Sequence, residues 1–436
     1  MSEEAQLAPL APVPASESNA GESTAGESGI GGFDASASSH EPAETSAAPA
    51  LLSSYRAHDS LFSSSHTQLH ARGVLQPLTR ASDDDLAGAS ERLLAQVAAE
   101  AGRLPLLGAV PFEGGQPARL WVPAQAAFAA GRARHRGAVH GEARHADRIE
   151  PNVQPVPAPA QFKRNVERSL QRIHDGGLRK VVMSRSLRID ARVEVAQLLA
   201  QLLARAPSAY TFAMDLAGAG GPAACLIGSS PELLLSKRGA RIVSNPLAGS
   251  IPRSADPHED RRRAEGLLQS AKDLHEHALV IEDVAAALRP FCRELQVPAA
   301  PSLLATPTMW HLSTRVDGVL RDPTTSSLRL ALALHPTPAV CGYPTEPARR
   351  TIRELEGYDR GLFTGLVGWC DSEGDGEWAV TIRCALVEEH RATVFAGAGI
   401  VAGSQPEAEL AETTAKLRTM LGAMGLAHVA EAEGRA

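Results

Sequence analysis

The sequence predicts an α+β protein built on antiparallel strands. Short strand patterns follow one another through Gly, Ser and Pro turns between residues 210 and 244, and a second run of strands occupies the last third of the chain. Strands joined by short turns pair in antiparallel fashion. Helical patterns stand between these runs and do not follow every strand, which favours α+β over a doubly wound parallel sheet.

Composition limits the class of protein. The 436 residues, 44% of them hydrophobic, can bury a sizeable core. The five cysteines are scattered without C-x-x-C spacing, so neither a zinc site nor a disulfide framework is indicated. We expect a cytoplasmic protein, because the N-terminus lacks a secretory pattern and no apolar run approaches the roughly 20 residues of a membrane span.

Charge narrows the range of partners. A formal net charge of -7 gives no electrostatic footprint for nucleic acid. An anionic ligand must therefore be bound by a local cluster of cations or by a metal ion.

The chain divides by composition. Residues 1–50 are rich in Ala, Ser, Gly, Glu and Pro and predict a disordered low-complexity tail. Residues 51–436 predict one folded domain, with an N-terminal part at 51–160 and a motif-rich core at 161–430. The N-terminal part carries a helix pattern at 84–101 and a strand pattern at 107–112, with no evident chemistry.

Hydrophobic periodicity places the elements of the motif-rich core. Predicted strands cover 180–189, 210–215, 225–228, 233–236, 241–244, 310–316, 366–370, 377–387 and 393–396. Predicted helices cover 193–204, one long stretch at about 259–291, and 326–334. Ser404 and Glu407 form a capping-box pattern that predicts the start of a last helix.

Two predicted helices carry pairs of acidic residues. Asp273 and Glu276 are three residues apart, and Glu409, Glu412 and Lys416 have i, i+3, i+7 spacing, so each helix presents two carboxylates on one face. If the two faces meet, they form an oxygen-rich site suited to Mg²⁺. Spacing alone favours the alternative, in which each face is solvated and salt-bridged.

A zinc site at His275 and His277 is disfavoured. Residues two apart on a helix point to different faces, unlike the histidines of an H-E-x-x-H motif.

Other polar positions have two interpretations each. The glycines of residues 395–403 do not match a dinucleotide motif, and indicate either close backbone approach to a small anion or a tight turn. Arg383 lies within a strand pattern and shares a face with Thr381, where a guanidinium is usually paired with a carboxylate of the protein or of a ligand. Lys180 and Glu232 border strands and suit either a sheet edge or a site.

The ordered motifs together resemble the chorismate-binding enzyme family. That family includes isochorismate synthases, salicylate synthases and the large components of anthranilate and aminodeoxychorismate synthases. The resemblance is dense from about residue 180 to 426, faint from 51 to 180, and closest to isochorismate synthases of catecholate siderophore pathways. It is carried by KVVMSR, GSSPELLL, NPLAGS, KDLHEH, PTMWHL, LHPTPAVCGYP, ELEGYDRGLFTGLVGWCDSEGDGEWAVTIRCA, FAGAGIV and AETTAKL.

The resemblance implies a fold and a ligand-binding site. The expected fold is a single α+β unit of two stacked, largely antiparallel sheets with flanking helices and a cleft beside them. Glu276 and Glu412 are expected to bind Mg²⁺ directly, supported by Asp273 and Glu409, and the metal to bind the ring carboxylate of chorismate. The remaining contacts expected are from Arg383, Lys416, Gly397, Ala398 and Gly399 to the enolpyruvyl carboxylate, and from Gly249, Ser250 and His311 to the ring.

The resemblance also assigns the proton transfers. Isochorismate forms when water adds at C2 and the C4 hydroxyl leaves, which needs a base and an acid. Lys180 resembles the base and Glu232 the acid, and burial favours the neutral form that each role needs.

Local contrasts choose within the family. Ala248 stands where aminodeoxychorismate synthases carry a nucleophilic Lys, and Lys180 favours water over ammonia, so no amidotransferase subunit is expected. Ala339 and Phe363 stand where salicylate synthases tend to have Thr and Tyr. The prediction is a monomeric isochorismate synthase that feeds siderophore, menaquinone or other pathways. Its alternatives are a salicylate synthase, which goes on to eliminate pyruvate, and a catalytically inactive chorismate-binding protein.

Overall fold

Helices and strands alternate irregularly along the chain, as expected for an α+β protein. The computed structural model describes residues 54–78, 85–131, 151–218, 220 and 223–433, so the tail predicted at 1–50 lies outside the described residues. No helix within those ranges has the length and apolar character needed to cross a membrane. The helices are α1 Leu86–Glu100, α2 Pro159–His174, α3 Val195–Arg205, α4 Pro257–Gln269, α5 Ala271–Leu288, α6 Ser327–Leu334, α7 Thr345–Leu355, α8 Pro406–Ala423 and α9 Ala427–Glu433.

The first sheet has ten strands, all paired in antiparallel fashion. Nine form a continuous order across the sheet, and the tenth, Val153–Val156, pairs with the strand Lys180–Ile189. In spatial order the nine are β18 Gly342–Tyr343, β8 Lys180–Ile189, β22 Ala392–Ile400, β21 Cys384–Glu388, β10 Ala224–Ser230, β9 Tyr210–Asp215, β1 Ser60–Ser63, β2 Thr67–Arg72 and β6 Gln125–Ala130; the tenth is β7.

Two further sheets are also antiparallel. The second sheet has nine strands, in the order β14 Cys292–Gln296, β17 Val316–Leu320, β12 Arg241–Asn245, β11 Leu233–Arg238, β20 Gly376–Val380, β19 Leu366–Cys370, β4 Leu106–Val110, β5 Arg119–Val122 and β3 Gln76–Pro77. The third sheet has the order β13 Leu247–Pro252, β16 Met309–Ser313 and β15 Ser302–Ala305.

The two large sheets stack face to face. Phe62 and Phe212 of the first sheet share a buried cluster with Trp121 and Trp369 of the second. Removal of these large apolar side chains from water stabilises the stack. Helices α3, α8 and α9 pack on the outer face of the first sheet, and α1, α5 and α6 pack on the second. The predicted arrangement of two stacked sheets with flanking helices is therefore confirmed.

Two of the connections between the two large sheets are adjacent to each other. Pro231 and Glu232 connect β10 of the first sheet to β11 of the second, and residues 381–383 connect β20 of the second sheet back to β21 of the first. The two connections are hydrogen-bonded to each other's strands: the Val380 N–H donates to Glu232 O at 3.2 Å, and the Ser229 N–H donates to Arg383 O at 3.0 Å. These crossings border the cleft described below.

Some predicted elements are wrong in extent. The long helix predicted at 259–291 is two helices, because Ser270 is extended (φ -70°, ψ 108°) and its side chain caps α5 by accepting from the Asp273 N–H. The strand predicted at 310–316 is two strands, β16 and β17, which belong to different sheets. The capping box is also wrong, since Gln405 precedes the first helical residue, Pro406, while Ser404 accepts from the Val401 N–H.

The strand predicted at 377–387 is interrupted where Arg383 lies. Residues 381–383 are the crossing between sheets, and Arg383 has φ +50°, in the left-handed region. Arg383 was predicted to lie in mid-strand, and this is wrong. The alternation of side chains along a strand therefore does not place Arg383 on the same face as Thr381. By contrast, the strands predicted at 180–189, 210–215 and 366–370 match at both ends. All five cysteines are free thiols, as predicted.

Candidate active site

A cleft lies beside the two sheet crossings and is bounded by β13, β22, α5 and α8. Most of the predicted site residues line it: Glu232, Gly249, Ser250, Glu276, His311, Ala339, Phe363, Arg383, Gly397, Gly399, Glu412 and Lys416. Lys180, Asp273 and Glu409 lie behind this lining, next to Glu276, Gly249 and Glu412 respectively. Ala398 does not line the cleft, since strand alternation turns its side chain away from the face that presents the two glycines.

Lys180 is a fully buried residue at the start of β8. Its side chain is 0% exposed, and Nζ lies 2.9 Å from Glu276 Oε1, an ion-pair distance. Among the described residues, no acceptor lies in hydrogen-bonding alignment with Nζ. The lysine therefore lies beside Glu276 with the hydrogen-bonding capacity of its amine unused.

Gly399 makes room for this ion pair. A Cβ atom at this position would lie 2.1 Å from Glu276 Oε1 and 3.1 Å from Lys180 Cε. Gly399 belongs to β22, which pairs along its length with β8. Gly397 and Gly399 thus lie in a strand, where the atoms closest to Gly399 belong to side chains, while Gly403, with φ +90°, lies in a turn. Close approach to a small anion stays a prediction.

Glu232 is a buried carboxyl group that faces the cleft from the first sheet crossing. Its side chain is 2% exposed, and burial raises its pKa to about 7. The Leu247 N–H donates to Oε1 at 3.4 Å, and the positive charges of Lys180, Arg383 and Lys416 oppose the rise in pKa. Near neutral pH a large share of Glu232 is protonated, as a general acid requires.

Two cations border the cleft from other elements. Arg383 stays charged at neutral pH, although burial lowers its pKa to about 10. Its Nη2 donates to His311 Nε2 at 3.4 Å, and burial, then the charges of Arg383 and Lys416, hold the His311 pKa well below its usual range. Lys416 Nζ donates to Gly397 O at 2.9 Å and lies 2.6 Å from Glu412 Oε1. Arg383 and Lys416 both line the cleft, where charged donors of this kind can bind a carboxylate ligand.

The acidic faces of α5 and α8 meet beside the cleft and are largely buried. Glu412 Oε1 accepts a hydrogen bond from Ser250 Oγ at 3.0 Å. Burial, and then the charge of Glu412, raises the Glu409 pKa to about 7. Burial raises the Asp273 pKa as well, with further contributions from Glu276 and Glu412. The alternative of solvated, salt-bridged faces is therefore wrong about solvation and right about salt bridges, since lysines pair with three of these carboxylates.

The donor chemistry of this cluster fits a hard divalent cation. All four predicted ligands are carboxylates, and concentrated negative charge in a buried place favours a small oxygen-binding ion such as Mg²⁺. Lysines now pair with three of them, as Lys180 with Glu276, Lys272 with Glu409 and Lys416 with Glu412. Within the described residues, no three Asp, Glu, His or Cys side chains converge closely enough to hold a metal as they stand.

Sequence reasoning missed the role of His277 beside the cleft. Its Nδ1 lies 3.1 Å from Ala248 O and its Nε2 lies 2.7 Å from Thr314 Oγ1. Burial lowers the His277 pKa to about 4, so the neutral ring donates to the carbonyl and accepts from the hydroxyl. The ring thereby fixes α5, and with it Glu276, against β13. His275 is exposed, so the two histidines do face different ways.

Lys272 and several lining residues, among them Val340, Thr364 and Phe395, were also missed. Only Phe395 had a sequence signal, its two-residue spacing from Gly397 and Gly399 on one strand face.

Comparison with known proteins identifies the family. Residues 126–425 match the family model described as chorismate binding enzyme, and the chain belongs to that family. The isochorismate synthase DhbC of Bacillus subtilis is 49% identical over 388 residues, covering 87% of this chain and 96% of DhbC. The vibriobactin-specific isochorismate synthase of Vibrio cholerae is 46% identical over 345 residues, covering 78% and 85%.

A solved structure shows the same fold. The crystal structure of DhbC from Bacillus anthracis, assigned as a 2,3-dihydroxybenzoate-specific isochorismate synthase, matches with a TM-score of 0.81. The two chains are 43% identical, and the match covers 87% of this chain and 99% of the other.

Proposed function

We propose that this protein is an isochorismate synthase that converts chorismate to isochorismate by adding water at C2 and expelling the C4 hydroxyl group. The observation that carries the proposal is the buried carboxyl of Glu232 in the cleft, with its pKa raised to about 7 by burial, and the buried amine of Lys180 directly behind the lining residue Glu276. Relatives at 46–49% identity are named isochorismate synthases, which supports this function.

The proposed mechanism uses the two groups in opposite directions. Lys180, in its neutral amine form, accepts a proton from the attacking water as the water oxygen bonds to C2. The ring double bonds shift, the C4–O bond breaks, and Glu232 gives its proton to the departing hydroxyl, which leaves as water. Proton transfer by positioned groups of this kind contributes typically about 10²- to 10⁴-fold to the rate.

The remaining residues bind the dianion. Arg383 and Lys416, with the backbone of residues 397–399, hold the enolpyruvyl carboxylate, while Gly249, Ser250 and His311 contact the ring. Mg²⁺, held by Glu276 and Glu412 with support from Asp273 and Glu409, would neutralise the ring carboxylate. The supporting observation is the chemistry of the donor set, since Glu276 and Glu412 line the cleft and Asp273 and Glu409 lie behind them, and carboxylate oxygens suit that ion.

The salicylate synthase alternative is less well supported. Ala339 and Phe363 both line the cleft and present no hydroxyl group at the positions where salicylate synthases tend to have Thr and Tyr. The inactive-protein alternative has no support, because Lys180, Glu232, Glu276 and Glu412 are all present at the cleft. We extend the proposal to a single chain that acts without an amidotransferase subunit, since a base for water makes an ammonia source unnecessary.

The test is product analysis. Purified protein is incubated with chorismate and Mg²⁺, with and without EDTA, and the products are separated by chromatography. Isochorismate in equilibrium with chorismate, lost with EDTA and restored by excess Mg²⁺, is the expected result. Salicylate with pyruvate would transfer the assignment to the salicylate synthase alternative, and absence of any product would contradict an enzymatic function.

A further inference from the structure

A buried ion pair lies directly behind the wall of the cleft. The side chains of Glu356, at the end of α7, and Arg360 are each 1% exposed. Arg360 donates through Nε to Glu356 Oε2 at 2.8 Å and through Nη2 to Oε1 at 2.5 Å. Neither residue lines the cleft. Two parallel bonds of this kind fix the guanidinium plane as well as its position.

Arg360 also contacts three separate segments of the cleft wall. Nη2 donates to Val182 O at 2.8 Å, two residues beyond Lys180 on β8. Nη1 donates to Val340 O at 2.8 Å and to Thr364 Oγ1 at 3.3 Å. All three acceptors belong to residues that line the cleft. One side chain therefore fixes the base-bearing strand relative to the segments that carry Ala339 and Phe363.

Glu356 extends the same cluster to β8 and β22. Its Oε1 accepts from the N–H and the hydroxyl of Ser184, each at 2.7 Å. The Tyr358 hydroxyl lies 2.6 Å from Ser184 Oγ, and its ring stacks on that of Phe395, a lining residue, at 6.4 Å between centroids.

Thr364, one of the lining residues that Arg360 contacts, has a strained backbone. Its φ is +62°, in the left-handed region that a β-branched residue rarely adopts. Such a conformation persists only where its surroundings hold it, and these include the bond from Arg360.

We propose that the Glu356–Arg360 pair is a positioning device that sets the spacing of the three wall segments and thereby favours water addition over pyruvate elimination. The inference rests on the proposed function. A ring held between Ala339, Phe363 and the base can react by either route, and contact energies of a few kcal/mol decide between them. Looser walls should slow the proton transfers and raise the share of pyruvate.

Two conservative substitutions test the pair. Glu356→Gln keeps the volume but loses the charge, and Arg360→Lys keeps the charge but loses the planar fork. We expect kcat to fall about 10- to 100-fold, since small misplacements have effects of that size. We expect KM to change less than about threefold, because Arg383 and Lys416 are untouched. The pyruvate released per isochorismate formed should rise above the wild-type ratio.

Asp375→Asn is the matched control. Asp375 pairs at 2.8 Å with Lys237, which is 0% exposed, in a turn region of the second sheet that does not line the cleft. Its loss should lower the melting temperature while kcat per folded molecule and the pyruvate ratio stay at wild-type values.

The wild-type protein is assayed first, and its products test the proposed function alone. The kcat of each variant relative to wild type then tests the positioning role, whichever product forms. Folded Glu356→Gln and Arg360→Lys proteins with wild-type kcat and pyruvate ratio would overturn the inference. If thermal melts show that neither folds, Ser184→Ala and Thr364→Val, which each remove one hydroxyl from the cluster, decide it. Losses of kcat beyond that of Asp375→Asn support it, and unchanged kcat in both overturns it.

Discussion

Replacement of Glu232 by glutamine removes proton donation while it keeps the shape of the side chain. The Glu232→Gln side chain keeps the volume and can still accept from the Leu247 N–H, but it cannot donate a proton to a leaving hydroxyl. Loss of a general acid should lower kcat by about 10²- to 10⁴-fold. That range corresponds to about 3 to 5 kcal/mol of activation free energy. Rates are measured as isochorismate formed at saturating chorismate and Mg²⁺.

The pH dependence of the same pair of proteins supplies a second result. Because burial raises the Glu232 pKa to about 7, the wild-type rate should fall as pH rises through about 7, where the carboxyl loses the proton it donates. The residual rate of Glu232→Gln should lack this limb. A variant that keeps more than about a tenth of the wild-type rate, or keeps the limb, would refute the acid role.

The Glu232→Gln substitution should raise stability at alkaline pH although it lowers activity. Since the folded protein holds the Glu232 proton to about pH 7 while the unfolded chain releases it near 4.5, the free energy of unfolding decreases as pH rises between those values. The total loss of unfolding free energy, which is complete above pH 7, amounts to about 3 kcal/mol. Glu232→Gln does not ionise, so it should melt at a higher temperature than wild type at pH 8 and at the same temperature near pH 4.

Glu377→Gln is the matched control for the loss of kcat and for the loss of the pH limb. Glu377 is 1% exposed, accepts from Ser64 Oγ at 2.9 Å, and has a pKa raised by burial, but it lies in β20 away from the cleft. Its substitution should leave kcat and the pH limb unchanged.

Three further predictions concern the metal, the product and the tail. Gly399→Ala should displace the Glu276 carboxylate and weaken Mg²⁺ binding at least about tenfold by calorimetry, while Gly266→Ala, with open space around it, should bind as wild type. Ala339→Thr with Phe363→Tyr should raise pyruvate release in a coupled assay, and an unchanged pyruvate yield would argue against the role of these two positions. Deletion of residues 1–50 should leave kcat within about twofold, and a large loss of turnover would contradict a disordered, dispensable tail.

Local sequence patterns correctly predicted those strands and helix faces whose burial and ends are determined by neighbouring residues. The strand Lys180–Ile189 combines β-branched residues with turn residues at its borders, and the structure matches it at both ends. The helical spacing of Asp273 with Glu276, and of Glu409 with Glu412, correctly placed each pair on one face.

Changes of direction inside a continuous apolar pattern could not be predicted. The chain leaves one sheet and enters the other at residues 381–383, but both sheets bury this stretch, so the pattern continues across the crossing. Arg383 adopts its positive φ without the glycine or asparagine that usually signals one. Helices α4 and α5 similarly share a helical period across Ser270, which concealed a serine cap.

Contacts between residues that are distant in the sequence could not be predicted either. Lys272 and Glu409 pair across 137 residues, and Arg360 reaches Val182 across 178. No local spacing reports such contacts. The family motifs placed the carboxylates at the cleft, but only the folded chain shows their lysine partners and the pair behind the wall.

The most direct test of the central claim follows the source of the new hydroxyl group. Chorismate is converted by the wild-type protein with Mg²⁺ in ¹⁸O-labelled water, and the isochorismate formed is analysed by mass spectrometry at early times. Water addition assisted by Lys180 should place one solvent oxygen at C2 in each molecule formed, with the C4 oxygen released to the solvent. Unlabelled isochorismate would show that the original hydroxyl had migrated, and would contradict water activation by Lys180 and hydroxyl loss assisted by Glu232.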